Sequence, residues 1–196
     1  DEIDMRMSIP HGENDDLEHH LELLAERNFF VYRLDDEHRV FRFHHLFQEF
    51  LQAMGQRMLG SKVVTAIHQD AADYYLNRGQ CDKALKMLRA CEDYPRMARI
   101  IKQHGLALVA ANRTVSILAI LQSIPEPTLL EHGWLAFFYG LLSTDYTPQQ
   151  TLVFFEACRN QFAENREETG ELMALTQIIY FHFVISGDYR TGSAQL

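Results

Sequence analysis

A strand that runs into an amphipathic helix through two adjacent histidines constrains this chain more than any other feature. The run is Phe41-Arg42-Phe43-His44-His45-Leu46-Phe47-Gln48-Glu49-Phe50-Leu51. About twenty residues later comes Ala72-x-x-Tyr75-x-x-x-Gly79-x-x-x-x-Ala84, the spacing of a helical-hairpin repeat. A histidine at a strand-to-helix corner, followed by helical repeats, fits a regulatory switch joined to a sensing scaffold. It does not fit a free-standing enzyme.

The elements ahead of the corner follow from short-range signals. Residues 1–14 carry Pro10, Gly12 and scattered charge and read as a loosely ordered lead-in. Asp15 or Asp16 can cap a helix bearing Leu17, Leu21, Leu23, Leu24 and Ala25, which ends near Arg27-Asn28. Aromatic and β-branched residues predict strands over Phe29–Leu34 and Arg39–Phe43, with Asp35-Asp36-Glu37-His38 as the hairpin loop. A lone hairpin is marginal in water, so this one must lie against the flanking helices. Helix, hairpin, and a helix from His44 to about Met58 make a winged-helix-like unit, or the second half of one.

Everything after Ser61 reads as helical. Val63, Val64, Ile67, Ala71, Tyr74 and Tyr75 fall on one face. Gly79 stops that helix, and Asp82 opens the next, whose buried face is Ala84, Leu85, Leu88 and Cys91. Asp93-Tyr94-Pro95 reads as a cap and a first-turn proline. Gly105 is expected to interrupt, and Leu106–Leu121 to form two short helices broken near Asn112-Arg113-Thr114. Helices near 128–144, 148–165 and 171–186 complete the series, the second opened by Thr147 as cap and Pro148 at the first position.

The segment from Ala72 fits the tetratricopeptide spacing. Ala72 and Ala84 take the positions where two helices approach closely, Tyr75 fills between them and Gly79 makes the turn. A partial echo is Phe183-x-x-x-Gly187-Asp188-Tyr189 with Gly192 at the small-residue position. An irregular array of α-hairpins without a regular superhelix is the other reading. The expected fold is therefore mainly α: a partial winged helix with one β-hairpin, then an α-helical hairpin (TPR-like) array. Residues 1–58 form the winged-helix portion and 59–196 the helical repeat domain.

Composition narrows the function. A formal net charge of −9 argues against gripping duplex DNA, which needs clustered Lys and Arg. The window from Arg78 to Arg113 departs from this, with eight basic residues against Asp82, Glu92 and Asp93. It reads either as solvated helix faces or as a contact surface for an acidic partner. Cys81, Cys91 and Cys158 are widely spaced without a CxxC, which fits a reducing cytoplasm. No signal-peptide pattern opens the chain, and no apolar run is long enough to span a bilayer, so a cytoplasmic location without membrane contact is expected.

Phosphate-binding and hydrolase motifs are absent: Gly60-Ser61-Lys62 lacks the first glycine of a P-loop, and neither Gly-x-Gly-x-x-Gly, Gly-x-Ser-x-Gly nor His-Glu-x-x-His occurs. No enzymatic activity is expected of this segment. The ten histidines show no ligand spacing, and His19-His20, as helix neighbours, cannot chelate one ion together. No metal is expected. His44 and His45 admit two readings. In one, one of the pair caps the corner while the other faces solvent; in the other, the first, His44, reaches outward as a donor to a phosphate on a neighbouring domain.

The run Leu24–Leu51, with Asn28-Phe29-Phe30, Leu34-Asp35-Asp36 and Phe43-His44-His45-Leu46-Phe47, resembles the winged-helix end of a regulatory ATPase module. That module belongs to the large ATP-dependent LuxR-type transcriptional activators, the maltose-activator class of STAND NTPases. Ala71-Ala72-Asp73-Tyr74-Tyr75 through Gly79 and Ala84-Leu85 resembles the helical repeat that follows it. Ile120-Leu121-Gln122-Ser123-Ile124-Pro125 is similar to the family's Leu-x-x-Ile/Leu-Pro signature.

The resemblance implies a fragment with a P-loop domain upstream and a DNA-binding helix-turn-helix downstream. ATP or ADP would be held in the parent, and no cofactor in this segment. His44 would take the nucleotide-sensing role of the family's Met-His-Asp element, with His45 standing where the aspartate belongs. A small-molecule inducer or regulatory protein would bind the array, and this segment itself would bind no nucleic acid. The rival is a TPR-like protein-interaction scaffold with no transcriptional role, using Arg89, Arg96 or Lys102 to hold carboxylates.

Overall fold

Three short strands and the helices beside them build the first of two units. The computed structural model describes residues 2–4, 14–35, 40–144, 146–188 and 190–191. By internal packing the chain divides into Asp1–Tyr74 and Tyr75–Leu196. The expected domain boundary, 58/59, lies beside the non-helical Gly60, and this division falls in the helix that follows it.

In the first unit, β1 (Glu2–Asp4) precedes α1 (Asn14–Glu26), β2 (Val31–Asp35), β3 (Val40–Phe43) and α2 (His45–Asn77). The sheet order is β1-β3-β2, and both pairings are antiparallel. The expected hairpin is therefore present, but β3 is its central strand. Residues 2–4 pair with it from the far side, Ile3 opposite Phe41, and are not the loose lead-in that Pro10 and Gly12 suggest. An edge of β3 left open would expose unpaired backbone groups, and β1 supplies their partners. The hairpin loop at 36–39 lies outside the described residues.

Alternation decides which side chains enter this core. Val31 and Phe41 point inward and are almost fully buried with Leu21 of α1; Leu24, Ala25, Phe43 and Phe47 pack around them. Arg33 binds Glu22 at 2.9 Å and lies 5.8 Å from the Phe41 ring centre. Phe29 and Phe30, expected to start β2, instead make a bend.

The span α2 is two helices meeting at a kink, as expected of a helix to about Met58 and another after Ser61. Its interior holds Gly60 at φ 75°, ψ 160°, a conformation that costs other residues dearly and leaves a kink. Val63 and Ile67, expected on the buried face, are about half exposed, whereas Ala71 and Ala72 are buried. Leu46, Phe50, Met58 and Leu59 are likewise exposed, so helical periodicity in α2 marks an apolar stripe without marking burial.

The second unit is helical: α3 (Cys81–Ala90), α4 (Tyr94–Ala110), α5 (Thr114–Gln122), α6 (Glu126–Glu131), α7 (Gly133–Ser143), α8 (Pro148–Glu164) and α9 (Glu168–Tyr180), the last continuing as a π-helical turn, Phe181–Ser186. Here α3 packs on α4, α6 on α7, α7 on α8 and α8 on α9, α7 also packs against α4 and α5, and α5 against α3. Trp134, Leu135, Ala136, Phe137 and Phe138 are all buried, which is how a helix apolar all round must sit.

One turn recurs at the helix ends. Asn28, Gly79, Glu92, Asn112 and Arg166 each have φ between 54° and 70°. In each case the next N–H reaches back five residues: Phe29 to Leu24, Gln80 to Tyr75, Asp93 to Leu88, Arg113 to Leu108 and Glu167 to Phe162, at 2.8–3.0 Å. This Schellman arrangement satisfies carbonyls that the helix end leaves unpaired.

Several local expectations change. Asp82 is the second residue of α3 and not its cap; Gln80 precedes the helix without a side-chain cap bond. Asp82 still suits the first turn electrostatically, and Arg113 lies 3.9 Å from it. Asp93 does cap α4, accepting from Arg96 N at 3.2 Å. Thr147 precedes α8 with Pro148 at its first turn, but its hydroxyl makes no cap bond. Gly105 does not interrupt: α4 runs through it to Ala110, because the missing side chain leaves room for the Phe138 ring. The stop at Gly187 is present at φ 67°, whereas Tyr189 and Gly192 lie outside the described residues.

Candidate functional site

Two places deserve the name, one in each unit. The first is the strand-to-helix corner. His44 N donates to Phe30 O at 2.7 Å, tying the corner to the bend before β2, while His44 O accepts from Phe47 N and Gln48 N at 2.9 Å. His44 is thus the residue on which α2 begins, and its backbone is fixed on both sides. Its ring lies 4.4 Å from that of His45 and 6.0 Å from Phe30; Phe30 in turn stacks on Phe47 at 5.7 Å. The His44 Nδ1 is shielded from solvent and has no hydrogen-bond partner among the described residues. A shielded ring nitrogen without a partner is uncommon, because its lost hydration goes uncompensated. His45 is exposed.

The second place is a cleft of about 480 Å³ in the helical unit. Lys102 and Leu106 of α4, Trp134 and Phe138 of α7, and the residues that open α9 form its walls. Trp134 Nε1 donates to Glu167 Oε1 at 3.0 Å, and Lys102 Nζ pairs with the same oxygen at 2.5 Å. The ammonium also sits 5.7 Å from the indole centre, within cation–π range. Phe162 supports the indole from behind at 4.9 Å. Arg166, at the turn before α9, and Glu168 line the same cleft.

Of the three cations proposed for carboxylate binding, only Lys102 lines this cleft. Arg89 is engaged within the fold, donating from Nε to Ser123 Oγ at 3.0 Å and from Nη2 to Ser123 O at 2.5 Å, with Tyr94 5.8 Å away. Arg96 supplies the backbone N–H that Asp93 caps. Trp134, Arg166, Glu167 and Glu168 were not singled out by sequence spacing. The only signals they offered were a solitary tryptophan and a charged triplet at a helix start.

The thiols are poor nucleophiles. Burial pushes the Cys158 thiol up to about 12, and burial also raises Cys81 and Cys91. No three His, Cys, Asp or Glu side chains converge as a metal site among the described residues. Among those residues, no helix is long and apolar enough to cross a membrane.

Comparison with known proteins bears on the first place most directly. Residues 12–63 match the family model described as the MalT winged helix domain. The serine/threonine-protein kinase PknK of Mycobacterium tuberculosis (strain CDC 1551 / Oshkosh) is 30% identical over 113 residues, which is 58% of this chain and 10% of the kinase. The HTH-type transcriptional regulator MalT of Serratia proteamaculans is 28% identical over 123 residues, 63% of this chain and 14% of that protein. MalT of Yersinia pestis (strain Pestoides F) has the same identity over the same length. The chain thus spans a small part of the relatives it matches. No solved structure matches.

Proposed function

We propose that this chain is a signal-relaying segment of a LuxR-type transcriptional regulator of the STAND class, with no enzymatic activity of its own. In this reading the first unit is the winged-helix end of a nucleotide-controlled switch. The second is a TPR-like array that receives a small-molecule inducer or regulatory protein. The observation that carries it is the match of residues 12–63 to the MalT winged helix domain, which includes the corner where the His44 nitrogen is shielded and unpartnered. ATP or ADP belongs to the parent, held outside this segment, and the location is cytoplasmic.

Mechanistically, the His44 ring would donate a hydrogen bond to a nucleotide phosphate on the neighbouring domain, an acceptor that suits a helix start. Inducer bound on the array favours an arrangement in which that contact is lost. A ligand shifts such an equilibrium only by its difference in affinity for the two states.

The test is His44→Ala in the full-length protein. Basal transcription is expected to rise and ADP retention to fall; both unchanged would remove the switch role. The kinase relative supports a second reading, in which the same module governs a phosphotransfer output. A parent gene encoding a kinase domain and no helix-turn-helix would decide for it. A parent with neither a P-loop nor an output domain would decide for the plain TPR-like scaffold.

A further inference from the structure

The cleft beside Trp134 carries a pattern of charge that says what it would accept. Its floor and walls are apolar: the indole, the Phe138 ring, Leu106 and Met173. Leu106 is 56% exposed, so an apolar side chain faces solvent at the mouth. Four charged groups line the same space, two of each sign. Lys102 and Glu167 neutralise one another, and the Trp134 N–H shares in that contact. The remaining two, the Arg166 guanidinium and the Glu168 carboxylate, have no side-chain partner among the described residues, and both residues are exposed.

A ligand with only negative charge would meet the carboxylates of Glu167 and Glu168. One with only positive charge would meet Lys102 and Arg166. An uncharged ligand would leave the pair at the mouth unanswered. Volume and lining are those of an ordinary small-molecule site, apolar walls with a few placed polar groups.

We propose that this cleft binds a small zwitterion: a molecule with an apolar or aromatic body bearing one carboxylate and one ammonium, the class of free amino acids and short peptides. Its body lies against Trp134 and Leu106, its carboxylate pairs with Arg166, and its ammonium pairs with Glu168. The Lys102–Glu167 pair holds the indole in place and is not itself the recognition element. This assignment rests on reading the second unit as the receiver of a signal, and names the chemistry that it receives.

Trp134 is the chain's single tryptophan, so its fluorescence reports this cleft alone. The experiment titrates the 196-residue chain with L-phenylalanine, 2-phenylethylamine, 3-phenylpropionate and benzyl alcohol, with calorimetry in parallel. A saturable response to L-phenylalanine is expected, with each single-charge analogue about tenfold weaker or worse. R166Q should weaken the amino acid and the carboxylate but not the amine, and E168Q the amino acid and the amine but not the carboxylate. Both residues are at the surface, so neither change endangers folding.

No saturable response, equal binding of all four probes, or full affinity in either variant would overturn the proposal. A thermal-shift screen separates the two levels of the argument. A stabilising compound of another class that saturates the tryptophan signal sinks the zwitterion assignment while keeping the receiver reading. A screen without any stabilising compound sinks both.

Discussion

Replacing Gly170 with alanine should destabilise the helical unit, against the usual effect of that change in a helix. A Cβ on Gly170 would stand 2.8 Å from Phe162 Cγ and 2.9 Å from both Cδ atoms. Ordinary carbon contacts lie at about 3.5–4.0 Å, so something must yield by roughly 0.6 Å or more. The clash falls on the root of the ring, which cannot swing away as a chain end can. The far edge is also held, since Phe162 Cε1 lies 2.9 Å from where a Cβ on Gly133 would sit. Overpacking of this kind costs about 1–3 kcal/mol. Better helix propensity returns at most about 1 kcal/mol. With the full propensity gain subtracted, the net loss reaches about 2 kcal/mol, or a melting temperature lowered by up to roughly 8 °C.

Gly55→Ala is the control, because nothing lies within 4 Å of a Cβ there. That change should stabilise by up to about 1 kcal/mol through propensity alone. Thermal unfolding followed by circular dichroism and by Trp134 fluorescence reads both. If Gly170→Ala raised the melting temperature as Gly55→Ala does, the ring-on-glycine account would be wrong. Adding Phe162→Leu should recover part of the Gly170→Ala loss, and a double-mutant cycle that comes out additive would also refute it.

Other expectations are independent of this contact. Glu92→Gly should raise stability by about 0.5–1 kcal/mol, because φ 57° strains a residue with a side chain; a lower melting temperature would refute the strain. Arg89→Lys keeps the charge but loses the fork on Ser123, and should cost about 1 kcal/mol by chemical denaturation; an unchanged midpoint would show the fork to be idle. Cys158 should resist alkylation in the folded chain at mildly basic pH while Cys91, only half buried, reacts first; mass mapping decides. Because burial raises the folded-state Cys158 thiol from 9.0 to about 12, the folded state holds that proton longer. This contribution to stability is complete below about pH 9 and declines as pH rises towards 12, which pH-dependent denaturation midpoints can follow.

Elements that declare themselves locally were legible. The α1 end near Asn28, the Gly79 stop, the Asp93 cap and the break at 111–113 all depend on a few adjacent residues, and all appear. So does the hairpin, because alternation at Val31 and Phe41 is a local pattern. What depends on distant partners was not legible. Nothing in residues 1–14 says that Ile3 lies opposite Phe41, and Gly105 reads as a breaker until the Phe138 ring is seen against it. Val63 and Ile67 obey helical spacing yet stay half exposed, since periodicity shows which face is apolar and not what covers it. For the same reason the sequence pointed to His44 but not to Arg166 or Glu168: a corner is contiguous in sequence, whereas the cleft is assembled from three helices.

The recurring helix stops have a consequence for how such a protein changes over generations. Each stop is encoded within half a dozen consecutive residues, from the carbonyl that accepts to the N–H that turns back. A duplication or deletion spanning a helix and its stop therefore carries its own ending, and the flanking helices need no retuning to terminate correctly. Array length in such a lineage can drift cheaply, while its internal glycine-and-ring contacts, such as Gly170 with Phe162, must be inherited together.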